Sequence, residues 1–95
     1  MAFTVLIHPE ALVDIQQGID FYNLRKPRLG ARFLSAVKAT ITEIKKNPYY
    51  KVRYDNVRCR LVKKFPYLAH FSVDEKNNSI TFYRLKHTSI QSIGE

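Results

Sequence analysis

A short alternating segment near the middle of the chain constrains the fold most. Val57, Cys59 and Leu61 alternate there with Arg58 and Arg60. Because successive side chains of a strand point to opposite faces, this alternation predicts a strand with one buried and one solvated face. We expect the apolar set to face the core and both arginines to project outward. The chain must therefore form a sheet that keeps one face in contact with solvent.

The residues that follow this strand extend its cationic character and then end it. Lys63 and Lys64 add two positive charges, and Phe65-Pro66-Tyr67 comes directly after them. Proline cannot donate to a strand ladder and disfavours helix in the preceding residue, so the tripeptide predicts an extended junction between two strands. Together these residues predict a rigid basic sheet face for an anionic partner.

The rest of the chain predicts the element order β-α-α-β-β-β-β. Strand-forming residues occupy 3–7, 49–54, 68–74 and 80–85, and helical apolar spacing runs through 10–23 and 31–47. The stripes of the two helices are Leu12, Ile15, Ile19 and Tyr22, then Phe33, Val37, Ile41 and Ile44. A short polar turn joins the helices, which predicts an antiparallel hairpin packed on a sheet.

The fold class that this order predicts is α+β. We expect one domain over residues 1–95, built from an N-terminal strand, a two-helix antiparallel hairpin and a three- to four-stranded antiparallel sheet. Within the first helix, Gly18 suggests a close approach of another element, because glycine weakens a helix. In the last strand, Phe82 and Tyr83 are competing choices for the buried face.

The distribution of charge narrows the classes of partner. The chain of 95 residues has a net charge of +8, and thirteen of its 16 Lys and Arg residues lie between positions 25 and 67. Such clustering favours an anionic partner, either nucleic acid or an acidic protein segment. The simpler alternative, a solvated surface that only confers solubility, better suits a scattered excess of charge.

The cysteine and histidine content argues against a disulfide and a metal site, and the lack of a long apolar run argues against a membrane span. Cys59 is the only cysteine, so it cannot form an intramolecular disulfide, and its strand position favours a small core residue. His8 and His70 have no accompanying carboxylate cluster, so we expect no metal site and no cofactor. No apolar run approaches the length of a membrane span. We therefore expect a bacterial cytoplasmic protein with no membrane partner.

The joint order and spacing of several residues resembles the RelE/ParE superfamily of type II toxin–antitoxin toxins, the ParE branch in particular. The matching residues are Pro9-Glu10-Ala11, Asp14-Ile15, Tyr22, Gly30, Phe33, Pro48, Arg60, Phe65-Pro66-Tyr67 and His87. The resemblance implies a small basic toxin that arrests bacterial growth until a cognate antitoxin neutralises it. The antitoxin would wrap the toxin with an acidic segment that folds on binding.

The resemblance leaves two toxic mechanisms open. A RelE-like toxin would be a ribosome-dependent mRNA endoribonuclease, in which Arg60, Lys63, Arg84 and His87 could stabilise the phosphate and transfer protons. Against this, no aromatic residue follows Tyr83, although base stacking is a main way to grip single-stranded RNA. The preferred alternative is a ParE-like, non-enzymatic growth inhibitor that acts on DNA gyrase.

In the ParE-like interpretation, a set of mostly basic residues would bind the target or the antitoxin. These residues are Arg58, Arg60, Lys63, Lys64, Tyr67, Arg84 and Lys86. A third possibility is a non-toxic, basic nucleic-acid-binding or adaptor module. This possibility is less favoured because most Tyr and Phe residues fall on predicted apolar stripes and so belong to the core.

Overall fold

The computed structural model describes residues 3–88 and has the predicted element order. Its elements are β1 (Thr4–Ile7), α1 (Pro9–Arg25), α2 (Leu29–Lys46), β2 (Val52–Tyr54), β3 (Val57–Leu61), β4 (Tyr67–Asp74) and β5 (Ser79–His87). The polar tail expected over 86–95 lies outside the described residues from position 89 onward. Within residues 3–88, neither helix is long and apolar enough to cross a bilayer.

The strands form one five-stranded sheet in the order β1-β5-β4-β3-β2. The four later strands pair antiparallel, which confirms the predicted α+β class, whereas β1 pairs parallel with β5. Tight turns suffice to join antiparallel neighbours, but a parallel pair needs a long connection. Everything from α1 to β4 provides that connection, so this pairing could not be deduced from local sequence signals.

The helical hairpin begins and turns through specific polar contacts. His8 precedes α1, and its Nδ1 accepts a hydrogen bond from the Glu10 backbone N–H at 3.1 Å. At the turn between the helices, the Asn23 side-chain oxygen accepts a hydrogen bond from the Gly30 N–H at 2.9 Å. The close approach predicted at Gly18 is confirmed, because a Cβ atom there would overlap the ring of Phe33. The two helices therefore pack closely.

The core lies between the hairpin and one face of the sheet. Buried residues come from both layers: Ala11, Ile15, Tyr22, Phe33, Val37 and Ile44 from the helices, and Ala69, Phe71, Ile80, Phe82 and Leu85 from β4 and β5. The predicted stripe of α1 is right at Ile15 and Tyr22 but wrong at Leu12, which is 54% exposed. Two small residues of α1, Ala11 and Gly18, are buried, and Gly18 packs against Phe33 of α2.

The choice between Phe82 and Tyr83 in β5 is settled by a bulge. Phe82 pairs with Phe71 and is buried, whereas Arg84 pairs with His70 and leaves Tyr83 as the extra residue. The Ser72 hydroxyl donates a hydrogen bond to the Tyr83 hydroxyl at 3.0 Å, which places Tyr83 away from the core. We call the side of the sheet away from the helices the open face.

Candidate functional site

The two faces of β3 are reversed relative to the prediction. Arg58 and Arg60 pair with Phe71 and Ala69, which are core residues, so both arginines lie on the helix side of the sheet. Leu61, expected inside, is 52% exposed on the open face. Alternation defines two sets of residues but does not say which set is inside. The long apolar stems of arginine allow it to cross buried surface and carry its charge to the rim.

Aromatic rings cover both arginines on the helix side. The guanidinium carbon of Arg58 lies 5.7 Å from the ring centre of Tyr49, and that of Arg60 lies 5.2 Å from the ring centre of Tyr50. Arg60 also donates from Nη2 to Glu43 Oε1 on α2 at 3.3 Å. The side chain of Arg60 is 41% exposed, so its charge reaches solvent beside α2 rather than on the open face.

Arg84 forms the best-defined ion pair. Its Nε and Nη2 atoms donate to the two carboxylate oxygens of Asp14 at 2.8 and 3.2 Å, and the Leu85 backbone N–H donates to the same carboxylate at 2.9 Å. The hydrogen bonds that Arg84 donates to Asp14 raise the pKa of the Arg84 guanidinium. This carboxylate therefore joins α1 to the part of β5 that β1 does not cover.

Sequence reasoning missed the role of Asp14. Asp14 falls between the residues of the apolar stripe of α1, a position that favours a solvated face, yet only 10% of its side chain is exposed. The sequence signal that could have found it was the Asp14-Ile15 pair within the RelE/ParE resemblance. Its partner is 70 residues away, so no local pattern could identify the contact.

A second polar cluster lies on the open face around His70. His70 is 2% exposed, and its Nδ1 atom lies 3.1 Å from the Tyr54 hydroxyl and 3.4 Å from Cys59 Sγ. Cys59 is therefore not the small core residue that was predicted, because it is half-buried on the face away from the helices. Burial raises the pKa of the Tyr54 hydroxyl, and the nearby Cys59 and Asp55 raise it further.

Tyr67 and His87 pack toward the helices. They are paired between β4 and β5, and their ring centres are 5.2 Å apart at a near-perpendicular angle. Tyr67 also contacts the rings of Tyr22 and Phe33, and burial raises the pKa of its hydroxyl. Lys86 pairs with Leu68 on the opposite, open face. These predicted binding residues therefore divide between the two sides of the sheet.

A tight turn at Lys63 and Lys64 follows β3 and directly precedes Phe65-Pro66-Tyr67, the last residue of which begins β4. The Val62 N–H donates to the Tyr67 carbonyl at 2.9 Å, and Lys64 has a φ of 72°. The turn directs the ring of Phe65 between those of Tyr22 and Phe33, at centroid distances of 5.0 and 5.3 Å. The turn therefore places an aromatic side chain in contact with both helices.

The predicted ribonuclease residues each have a different environment. Arg60 contacts Glu43, Arg84 contacts Asp14, and His87 packs on Tyr67. Lys63 is exposed in the turn between β3 and β4. Within residues 3–88, no group of three or more His, Cys, Asp or Glu side chains is arranged to hold a metal ion.

A groove at one end of the molecule collects exposed cations. It has a volume of about 1010 Å³, roughly twice that of the groove between α1 and β5. Five of its lining residues are basic, namely Lys26, Arg28, Arg32, Lys63 and Lys64. We call it the basic groove. Lys63 and Lys64 were predicted to bind a partner, whereas the three cations of the helical hairpin were not singled out.

Two solved structures share this fold along nearly the whole chain. A chain of the chromosomal ParDE TA system from P. aeruginosa matches with a TM-score of 0.79 and 14% identity, over 90% of this chain and 96% of that one. A chain of the toxin-antitoxin complex RelBE2 from Mycobacterium tuberculosis matches with a TM-score of 0.64 and 15% identity, over 92% of this chain and 99% of that one. No protein family and no curated protein matches the sequence.

At this level of identity, the likeness establishes the fold. It confirms the fold expected from the RelE/ParE resemblance, and the ParDE chain has the higher TM-score of the two. The class of structure is thus a helical hairpin packed on a mixed five-stranded sheet, of the kind found in chains from ParDE and RelBE systems.

Proposed function

We propose that this chain is the toxin of a type II toxin–antitoxin module, a ParE-like growth inhibitor that acts on DNA gyrase and is neutralised by a cognate antitoxin. The observation that carries the proposal is the match to a chain of a ParDE system over 90% of this chain. The residues quoted for the RelE/ParE resemblance support the same assignment independently. A toxin of this kind acts in the bacterial cytoplasm, where gyrase is found.

The contacts that the ribonuclease candidates make within the chain support a non-enzymatic mechanism. General acid–base cleavage of RNA needs an acid, a base and cations within hydrogen-bond reach of one phosphate. Arg60 and Arg84 instead contact carboxylates on different helices, and His87 packs on Tyr67. A docking surface needs no such convergence, so this arrangement suits inhibition by binding.

The open face offers a suitable docking surface for a protein target. Leu61, Leu68 and Lys86 lie in one row across β3, β4 and β5, and Leu61 is 52% exposed. Protein interfaces combine apolar centres with a polar rim, and an exposed leucine, a half-buried leucine and a lysine in one row provide both. We assign gyrase docking to this row.

Inducible expression in a bacterial host that lacks the antitoxin tests the toxic activity. The proposal predicts growth arrest with double-strand DNA breaks and intact transcripts, and purified chain should stabilise cleaved DNA in a gyrase reaction. Arrest with rapid transcript cleavage would instead identify the endoribonuclease. Normal growth with salt-sensitive binding to bare nucleic acid would favour the non-toxic binding module.

A pair of matched variants locates the docking surface. Leu61→Glu places a charge on the open face, whereas Leu24→Glu places one on α1, where Leu24 is 89% exposed. Both sites are exposed, so we expect both variants to fold. Gyrase inhibition should be lost in the first and retained in the second. The reverse result would place the surface on α1 and contradict our assignment.

The antitoxin is tested through the neighbouring reading frame. A short acidic product encoded next to this chain should restore growth on co-expression and co-purify with the chain. Because charge and ordering both contribute to such binding, the complex should weaken as ionic strength rises. A neighbouring product that neither binds nor restores growth would contradict the antitoxin part of the proposal.

A further inference from the structure

The basic groove has an arrangement of charge that the fold does not require. Its cations come from three places: the turn between the helices, the first turns of α2, and the turn between β3 and β4. Lys26, Arg28, Arg32, Lys63 and Lys64 are all exposed, and among residues 3–88 no acidic residue lines the groove. Like charges held within about one Debye length repel one another and raise the free energy of the empty groove.

Aromatic packing holds these cations together. Phe65 inserts between Tyr22 of α1 and Phe33 of α2, which fixes the β3–β4 turn against the base of the hairpin. Lys63 and Lys64 precede Phe65 directly, so the same contact brings them to the hairpin cations. The grouping is therefore a consequence of tertiary structure and not of a run of charge along the chain.

The lining of the groove also carries apolar surface. Leu29, Ala31 and Ala36 of α2 line it together with Pro27 and Phe65. A ligand that only neutralises charge would leave this surface uncovered. A complementary ligand has carboxylates that pair with the five cations, which form the rim, and aliphatic side chains that cover the apolar lining, which forms the floor.

Nucleic acid fits this lining less well than a peptide. Single strands are held by aromatic rings on which bases stack. In the described part of the chain, Phe65 is the one aromatic residue that lines the groove, and its ring already packs against those of Tyr22 and Phe33. A phosphodiester backbone has no apolar group that could cover the aliphatic floor.

We infer that the basic groove binds an acidic peptide segment that carries aliphatic side chains. The inference rests on the proposed function, because such a segment is what the antitoxin would supply, and it gives that segment a location. The carboxylates pair with the five cations at the rim, and the aliphatic groups cover Leu29 and Ala36. The open face stays free for the target, so the two partners occupy different surfaces.

Direct binding of a synthetic probe tests the inference. The probe is a fluorescein-labelled peptide that mixes glutamate and leucine, measured by fluorescence anisotropy with the full chain. Two control peptides replace glutamate by glutamine or leucine by serine, and a labelled single-stranded oligonucleotide serves as a third. We expect the mixed peptide to bind more tightly than each control, because only it satisfies both the rim and the floor.

Charge-matched variants show where the peptide binds. Arg32→Gln with Lys63→Gln removes two groove cations, whereas Lys38→Gln with Lys46→Gln removes two exposed cations of α2 that do not line the groove. We expect the first pair to weaken binding by about tenfold, equal to about 1.4 kcal/mol, and the second by less than about threefold. Equal weakening by both pairs would mean that only net charge matters and would overturn the inference.

A third variant keeps the test independent of lost folding contacts. Ala31 is exposed in the first turn of α2, where an acidic residue favours the helix, so Ala31→Glu should fold normally. The new carboxylate should abolish peptide binding. Undiminished binding, or an oligonucleotide that binds more tightly than the peptide and loses affinity in the groove variants, would refute the peptide assignment.

These results separate the inference from the proposed function. Peptide binding in the groove without growth arrest would retain the site and reject the toxin. Growth arrest without peptide binding would retain the toxin and reject this groove as the location of the acidic segment.

Discussion

Two arginine–carboxylate pairs join the sheet to the helices, and they differ in almost every physical respect. Asp14 is 10% exposed and accepts three hydrogen bonds, two from Arg84 and one from the Leu85 backbone. Glu43 is 52% exposed and contacts Arg60 through one hydrogen bond at 3.3 Å. The first pair fixes a helix on a strand. The second lies in solvent, where an ion pair contributes little.

The difference changes how the predicted binding residues are understood. Arg84 can turn its Nε and Nη2 atoms to a partner's carboxylate only by giving up two hydrogen bonds to Asp14, a carboxylate that is 10% exposed. Arg60 can exchange Glu43 for another acid at small cost, because both side chains are already well solvated. Of these two arginines, Arg60 is therefore the better candidate for contact with an acidic partner, although it lies on the helix side.

The largest effect should come from removing the Asp14 carboxylate. Asp14→Ala leaves the Leu85 N–H and part of the Arg84 guanidinium without acceptors, and we expect a loss of about 2 kcal/mol in the free energy of unfolding. Chemical denaturation followed by circular dichroism measures it. Glu43→Ala is the matched control and should cost far less. Equal losses would show that the two pairs are energetically equivalent.

Asp14→Asn should have an intermediate effect. The amide oxygen can still accept from the Leu85 N–H, but the charge and one acceptor are lost, so we expect about 1 kcal/mol. The same unfolding experiment distinguishes the contribution of the Asp14 charge from that of its hydrogen bond to the backbone. A loss as large as that of alanine would mean that the charge on Asp14, and not the bond to the backbone, provides the stability.

Releasing Arg60 should affect binding more than folding. Glu43→Gln removes the exposed ion pair, and we expect less than about 0.5 kcal/mol of lost stability. Arg60 lies on the helix side and not on the open face, so Arg60→Ala should weaken binding of the antitoxin, measured by co-purification. If binding is unchanged while the fold is intact, Arg60 does not belong to the antitoxin-binding surface.

Raising the ionic strength should produce the smallest effect on stability and should again distinguish the Asp14–Arg84 pair from the Glu43–Arg60 pair. Salt screens exposed charges more strongly than partly buried ones. The small stability difference between the native chain and Glu43→Gln should vanish as salt is raised from low to high concentration. The difference between the native chain and Asp14→Ala should persist, and its disappearance would indicate that the Asp14 pair is solvated.

Much of the fold could be predicted from periodicity alone. The two helices and the close approach at Gly18 follow from local patterns and steric rules. The candidate binding surfaces were harder to predict. The predicted outward face of β3 was wrong because alternation is symmetric, and only the pairing of Arg58 and Arg60 with core residues of β4 shows which side is inside.

By itself, the sequence determined the order of elements, the excess of positive charge and the class of fold, because these depend on spacing along the chain. The tertiary structure decided which cations share a surface and which carboxylates restrain them. Phe65 brings Lys63 to the helical hairpin, and Asp14 holds Arg84 across 70 residues. Such contacts depend on how the helices pack on the sheet. Because they join residues that are distant in sequence, they produce no local pattern from which they could be predicted.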